Sequence, residues 1–159
     1  MIYKKIALTI AVAAIALTAL SSYPSFAKDL NPQTRKNLEA AMHGEAYANL
    51  KYHAYAKDAR AAGNEELAKL FEDTANIEAN DHFVSEASAL GLAKGIEKDL
   101  EDSMKGEHYE NVKMYKEFSE QAAKAGDTEV ARLFEDIRAD EGKHYEAYKA
   151  ALAKIAPKN

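Results

Sequence analysis

Apolar residues recur at helical spacing along most of the chain, and one such stripe also carries charged and polar groups. Between residues 134 and 148 its apolar members are Phe134, Ile137, Tyr145 and Tyr148. This spacing is typical of one buried face of a helix. Glu141 and His144 fall on the same face, three residues apart, where their side chains stand one above the other. The pair is either a core hydrogen bond or half of a dinuclear metal site, which four-helix bundles build from Glu-x-x-His on an inward face.

The chain repeats this pattern once. Residues 69–78 align with residues 132–141 at an offset of 63, and residues 44–51 align with residues 106–113 at an offset of 62. We expect the one-residue change of offset to fall in the turns near Gly63 and Gly126. The sequence therefore predicts a duplicated helix hairpin.

Each predicted hairpin has one inward glutamate on each of its two helices. These are Glu45, Glu78, Glu107 and Glu141. Four carboxylates with imidazole form a ligand set for two hard or borderline cations, such as iron or manganese, whereas zinc alone favours fewer carboxylates. The repetition of all four positions favours a metal site over a structural bundle in which these residues are remnants.

The composition and the small number of helix-breaking residues indicate an all-α domain. Alanine is abundant, and the chain has 3 Pro and no Trp. The first two predicted helices cover residues 32–62 and 65–89, and a connector follows at residues 90–95. The third begins near residue 96. A turn at Gly126-Asp127 precedes the fourth, which has Asp127 or Thr128 as its cap and ends at Pro157. The chain has no Cys, which excludes disulfides and thiolate-ligated iron. With a net charge of −5 and no basic patch beside aromatic residues, nucleic acid is not an expected partner.

Residues 1–27 have the pattern of a secretory signal peptide. Lys4 and Lys5 precede an apolar run at residues 6–20, and Ser25 and Ala27 place small residues before a cut. The alternative is an uncleaved anchor, but this run of 15 residues is shorter than the roughly 20 that a membrane span needs. We expect a mature domain at residues 28–159 that is exported, periplasmic in a Gram-negative source, with no membrane contact after cleavage.

Two stretches resemble the rubrerythrin family. Residues 106–118, followed by Glu141 and His144, resemble its second half, and Gly44-Glu45 with Tyr52 and Glu78 resembles its first half. The resemblance covers nearly all of residues 32–155. It implies a ferritin-like four-helix bundle around a non-haem di-iron centre whose diferrous form reduces hydrogen peroxide.

The resemblance also implies roles for individual residues. The expected ligands are Glu45, Glu78, Glu107, Glu141 and His144. Glu110 matches an extra carboxylate that engages one iron in the oxidised state. Tyr52 and Tyr115 match tyrosines that hydrogen-bond the ligand carboxylates. Two iron ions are therefore the expected cofactor, with manganese or a mixed pair as alternatives.

The second predicted helix departs from the family pattern. The residue three positions after Glu78 is Asp81, and His82 follows one residue later. Both positions stay on the Glu78 side of a helix, so either residue could be the ligand, and water in its place is a third alternative. An Asp ligand would favour the ferric state.

The family's rubredoxin domain, which needs four Cys, has no counterpart in these residues. We therefore expect electrons to come from an external donor protein. The leading hypothesis is a peroxide-reducing di-iron enzyme. The alternative is an iron-binding protein or ferroxidase that uses the same site with dioxygen.

The short connector predicts exchange between chains. In a ferritin-like bundle the second helix ends and the third begins at opposite ends, roughly 30 Å apart at 1.5 Å per residue. Six extended residues reach only about 20 Å. We therefore expect a homodimer in which the two halves of each bundle come from different chains.

Overall fold

A computed structural model describes residues 30–155, and every regular element in that range is helical. The elements are α1 (Pro32–Ala61), α2 (Glu65–Ile77), π1 (Glu78–His82), α3 (Phe83–Leu90), α4 (Ile96–Tyr109), π2 (Glu110–Met114), α5 (Tyr115–Ala125) and α6 (Thr128–Ile155). The two π-helical turns continue the helices on either side, so four long helices result. The all-α prediction is confirmed. The predicted signal peptide at residues 1–27 and the terminating Pro157 lie outside the described residues.

Side-chain caps and left-handed glycines set the helix ends. The Asn31 side chain accepts the main-chain N–H of Gln33 at 2.8 Å, with Pro32 in the first turn of α1. Asn64 accepts the N–H of Leu67 at 3.1 Å and so caps α2. Gly63 lies between α1 and α2 with φ of 77°, a conformation that residues with a Cβ rarely adopt. Within the described range, no helix is long and apolar enough to cross a lipid bilayer.

The helices form two hairpins of the same design. In the first, α1 packs against α2, π1 and α3; in the second, α6 packs against α4, π2 and α5. Each hairpin holds a cluster of three aromatic rings near its turn. These are Tyr52, Tyr55 and Phe71 in the first hairpin and Tyr115, Phe118 and Phe134 in the second, with ring centroids 5.5 to 6.3 Å apart. All three pairs of equivalent rings are related by the offset of 63.

The two hairpins do not pack against each other within one chain. Across residues 30–155, no Cα atom in the helical elements of the first hairpin lies within 8 Å of one in the second. Large apolar side chains therefore stay exposed at equivalent positions of both hairpins, as for Leu70 (59% exposed) and Leu133 (54%). Such surface is typical of a protein interface.

The change of offset arises in a π turn. The prediction that it falls in the turns near Gly63 and Gly126 is wrong. The offset is 62 up to Lys51 and Lys113, and it is already 63 at Tyr52 and Tyr115. The extra residue lies in π2, where the N–H of Tyr115 donates to the carbonyl of Glu110 five residues earlier. A π turn is one added residue within an α-helix.

Candidate metal centre

The first hairpin gathers two carboxylates and one imidazole. Glu45 projects from α1, and Glu78 and His82 are the first and last residues of π1. His82 Nδ1 lies 2.8 Å from Glu78 Oε2 and 3.8 Å from Glu45 Oε1. One potential ligand atom from each residue lies within 4.8 Å of the other two.

The second hairpin has a matching set. Glu107 projects from α4, and Glu141 and His144 project from α6. His144 Nδ1 lies 2.8 Å from Glu141 Oε2 and 3.3 Å from Glu107 Oε2. The ligand atoms of these three residues are again mutually within 4.8 Å. In both sets the imidazole is the exposed member: the side chains of His144 and His82 are 57% and 53% exposed, whereas those of Glu141 and Glu78 are 13% and 15% exposed.

The turn π1 places His82, and not Asp81, in the first cluster. The N–H of Phe83 donates to the carbonyl of Glu78, five residues earlier, so one extra residue is accommodated in this turn. The imidazole four residues after Glu78 thereby takes the place that His144 takes three residues after Glu141. Asp81 lines the same pocket but supplies no atom to the cluster. The identity of the ligand itself stays a prediction.

Paired carboxylates give the two clusters the same electrostatics. A hydrogen bond shared with Glu78 raises the pKa of Glu45, and burial and the charge of Glu78 raise it further. Burial raises the pKa of Glu107, as do its hydrogen bond and charge interaction with Glu141. The hydrogen bond to Glu141 raises the pKa of His144. Each cluster therefore retains protons that a bound cation would displace.

Glu110 and Tyr115 lie beside the second cluster. Burial raises the pKa of Glu110, and the negative charge of Glu141 adds to this. Burial also raises the pKa of Tyr115, as do the charges of Glu110 and Glu141. Tyr52, the counterpart of Tyr115, packs on Tyr55 and Phe71, with Lys51 Nζ 5.0 Å from its ring centre.

Two asparagines clamp the hairpins beside the clusters. Asn49 Nδ2 donates to the carbonyl of Ala75 at 2.7 Å, and Asn111 Nδ2 donates to that of Arg138 at 2.6 Å. Gly142, next to Glu141, makes room for this clamp, because a Cβ there would lie 3.0 Å from Asn111 Nδ2. The recurrence of the two asparagines at an offset of 62 indicates that they have equivalent roles. It does not predict which carbonyl groups accept their hydrogen bonds.

Sequence reasoning missed Glu86 of α3. It lines the pocket that Glu45, Asp81 and His82 also line. The feature of the sequence that could have identified Glu86 is its position one helical turn after His82, on the same helix face.

The donor sets suit iron or manganese. Each cluster offers two carboxylates and one imidazole, hard or borderline donors that lie close enough together to share one cation. The duplication of the set provides for two ions. Across the described range, these are the two groups of such residues that come together in this way.

The chain is similar to known proteins over most of its length. The rubrerythrin family model matches residues 36–152. Nigerythrin of Nitratidesulfovibrio vulgaris is 34% identical over 135 residues, which cover 77% of this chain and 67% of the relative. A putative rubrerythrin of Methanocaldococcus jannaschii is 30% identical over 145 residues, which cover 77% of this chain and 71% of the relative. The chain thus spans about two thirds of the length of these relatives.

Two solved structures are also similar. A mixed-valence nigerythrin is 32% identical, with a TM-score of 0.39 and coverage of 84% of this chain and 72% of that one. A fully reduced, all-ferrous nigerythrin is 29% identical, with a TM-score of 0.40 and coverage of 100% and 83%. The resemblance that the sequence motifs predict is confirmed by the match to the family model and by the curated relatives. The chain belongs to the rubrerythrin family of di-iron proteins.

Proposed function

We propose that this protein is a di-iron oxidoreductase that reduces hydrogen peroxide with electrons from an external donor protein. The observation that carries the proposal is the pair of matching clusters, each with two carboxylates and one imidazole in mutual reach. The proposed ligands are Glu45, Glu78 and His82 for one ion and Glu107, Glu141 and His144 for the other. The 159 residues contain no Cys to hold a second iron centre, so the electrons must come from outside these residues.

The proposed assembly is a homodimer that exchanges hairpins. The clusters lie on two hairpins that do not pack together within one chain, and a dinuclear site needs both. A hairpin from the partner subunit would cover the exposed imidazoles and the exposed apolar residues of each half. The two halves of each site then belong to different chains.

The reaction breaks the O–O bond of the peroxide, consumes two electrons and two protons, and releases two water molecules. When bound, the two iron ions supply the two electrons and accept replacements from the donor. The carboxylates would neutralise the cations. In the metal-free protein His144 Nδ1 lies within hydrogen-bond distance of Glu141 and Glu107, the two carboxylates with which it would share an ion.

Protons come from groups beside the second cluster. Because burial raises the pKa of Glu110, this carboxyl retains a proton closer to neutral pH and can transfer it to a departing oxygen. The raised pKa of Tyr115 keeps its phenol protonated, so its hydroxyl can donate to a neighbouring carboxylate. Glu110 is thus the proposed acid, and Tyr115 holds the carboxylates in position.

The test measures how many ferrous ions the protein binds and which oxidant, hydrogen peroxide or dioxygen, reacts faster with them. We expect the purified protein to bind two ferrous ions per four-helix unit and to oxidise faster with peroxide than with dioxygen, measured by stopped-flow absorption. Glu141→Ala should lose at least one ion. Glu110→Gln should keep both ions and react with peroxide about 100-fold more slowly or worse.

The exposed Glu117→Gln on α5 is the control, since it makes the same Glu-to-Gln change at a residue that belongs to neither cluster. Faster oxidation by dioxygen than by peroxide would favour the ferroxidase alternative. Full iron content and full rate in both site variants would contradict the assignment of the site.

We also propose that the protein is exported, with residues 1–27 removed. The support is the order of Lys4 and Lys5, the apolar run and the small residues before position 28. The intact mass of the protein from its native host should correspond to a chain beginning at Lys28. A mass that includes Met1 or the apolar run would contradict export with cleavage.

A further inference from the structure

Glu86 is an acid beside the first cluster that the proposed ligand set does not use. It lies on α3, four residues after His82 and therefore on the same helix face. The two side chains line one shallow pocket of about 440 Å³ together with Glu45, Asp81 and Ser85. The charge of Glu86 also acts on Glu45, whose pKa it helps to raise.

One oxygen of this carboxylate has no partner in the fold. Glu86 Oε2 is buried and receives no hydrogen bond from any residue in the range 30–155. A buried polar atom left unpaired destabilises a protein, and more so when it is charged. Such atoms are uncommon in native structures and call for an explanation, of which a bound ion is one. A cation held by the adjacent cluster would neutralise this charge.

The two hairpins carry their additional glutamate at positions that are not equivalent. The counterpart of Glu86 at an offset of 62 is Tyr148, which carries no charge, and the counterpart of Glu110 is Ala48. Glu86 and Glu110 are therefore acids beyond the matching sets of three that have no charged counterpart in the other hairpin, and they come from different helices. Glu86 follows the histidine of the first cluster, whereas Glu110 follows the first glutamate of the second.

We propose that Glu86 supplies a further carboxylate ligand to the ion held by Glu45, Glu78 and His82. This inference depends on the proposed binding of two metal ions. In the metal-free fold Glu86, like Asp81, is not one of the three residues whose ligand atoms lie within mutual reach, so its carboxylate must turn toward the ion. Since its Oε2 atom has no protein partner to give up, Glu86 gains a partner when the ion binds. The first ion is thereby bound by three carboxylates and one imidazole from this hairpin.

Anaerobic titration with ferrous iron tests the proposal. We expect Glu86→Gln to weaken the binding of one of the two ions by about 10- to 100-fold, as the loss of a supporting group does in metal sites. The other ion and the Glu117→Gln control should match the unmodified protein. Iron should also raise the thermal unfolding midpoint of Glu86→Gln less than it raises that of the control.

Thermal unfolding of the metal-free proteins distinguishes a metal ligand from a residue that only stabilises the fold. Without iron, Glu86→Gln should unfold at the same temperature as the unmodified protein or higher, because the buried unpaired charge is gone. A lower midpoint in the metal-free variant would overturn the proposal. An unchanged iron isotherm in Glu86→Gln would also overturn it while leaving the dinuclear site intact, whereas failure of the unmodified protein to bind two ions would overturn both.

Discussion

In the metal-free protein, each cluster keeps two carboxylates close enough to affect one another's protons. Glu78 raises the pKa of Glu45, and burial together with Glu141 raises the pKa of Glu107. Two carboxylates in contact cannot both ionise without repulsion. A proton shared within each pair removes that repulsion until a metal ion replaces it. Metal binding should therefore release protons and tighten as the pH rises.

These raised pKa values predict how stability depends on pH. Glu45, Glu107, Glu110 and His144 all have a raised pKa in the fold, so the folded state binds more protons than the unfolded state. Their stabilisation is complete below the ordinary pKa of each group, 4.5 for glutamate and 6.5 for histidine, and is lost as the pH rises through the raised values. The metal-free protein should lose stability from these groups between about pH 4.5 and a pH above 6.5.

Urea unfolding at about pH 5 and about pH 8 measures this effect. Glu107→Gln should reduce the loss of stability with rising pH, and the exposed Glu117→Gln should leave it unchanged. Iron saturation should reverse the trend. If the stability of Glu107→Gln and of the unmodified protein depended equally on pH, the raised pKa of Glu107 would not be a cause of the pH dependence.

Sequence patterns predict most of the cluster residues, because a charge that recurs on the apolar face of a duplicated helix is unusual. Glu45, Glu107 and Glu141 stand out in this way. The pattern does not predict the buried oxygen of Glu86, since a single acid on α3 resembles any solvated glutamate. Its burial depends on how α3 packs on α1, which helical periodicity does not determine.

A single turn of helix decides which side chain on the second helix reaches the first cluster. The turn π1 (Glu78–His82) accommodates one residue more than an α-helical turn and directs His82 toward Glu45 and Glu78. We therefore expect His82→Ala to weaken binding of one ion by about 10-fold or more. Asp81→Ala should have a much smaller effect, because Asp81 supplies no atom to the cluster.

Ferrous iron titration of the two variants gives the measurement. A larger loss in Asp81→Ala than in His82→Ala would show that the aspartate is the ligand in the metal-bound protein. Circular dichroism provides the control for helix content, since both substitutions place alanine, a strong helix former, in the same turn.

The helix ends follow from local chemistry, and the sequence predicts them well. Asn31-Pro32 and Gly63-Asn64 have caps and a left-handed turn that depend on neighbouring residues alone. The π turns escape prediction because they retain helical dihedrals and contain neither Pro nor Gly. Their trace in the sequence is the change of offset between the halves, and it is located in π2 only when Tyr52 is aligned with Tyr115.

The connector between α3 and α4 sets how the two halves of the molecule meet. In a ferritin-like bundle formed by one chain, residues 91–95 would have to span roughly 30 Å, whereas five extended residues reach about 17 Å; this is the basis of the proposed hairpin exchange. We expect the protein to be a dimer at micromolar concentration, by size-exclusion chromatography with light scattering. Inserting about eight Gly and Ser residues between Ala93 and Lys94 should extend the connector to about 45 Å and yield monomers.

The same insertion between Gly126 and Asp127 is the control, because that turn joins helices that already pack together. This variant should remain a dimer. An unmodified protein that is a monomer at micromolar concentration would contradict hairpin exchange.

The sequence predicts the duplicated hairpin and its all-α character, because both follow from periodicity and internal repetition. It does not determine which copy of a hairpin packs on which. That choice depends on the length of the connector relative to the length of the bundle. Leu70 and Leu133, exposed at equivalent positions of the two hairpins, are among the apolar residues that a packed hairpin would cover.

A short connector also links the activity of such a protein to its abundance. If each site draws its two halves from two chains, no site exists in a lone chain. Well below the dissociation constant of the pair, the number of complete sites rises with the square of the chain concentration, so halving expression would leave about a quarter of the sites. A chain with an intact first half and a disabled second half would rescue one with the opposite defect, since the two together assemble one complete site.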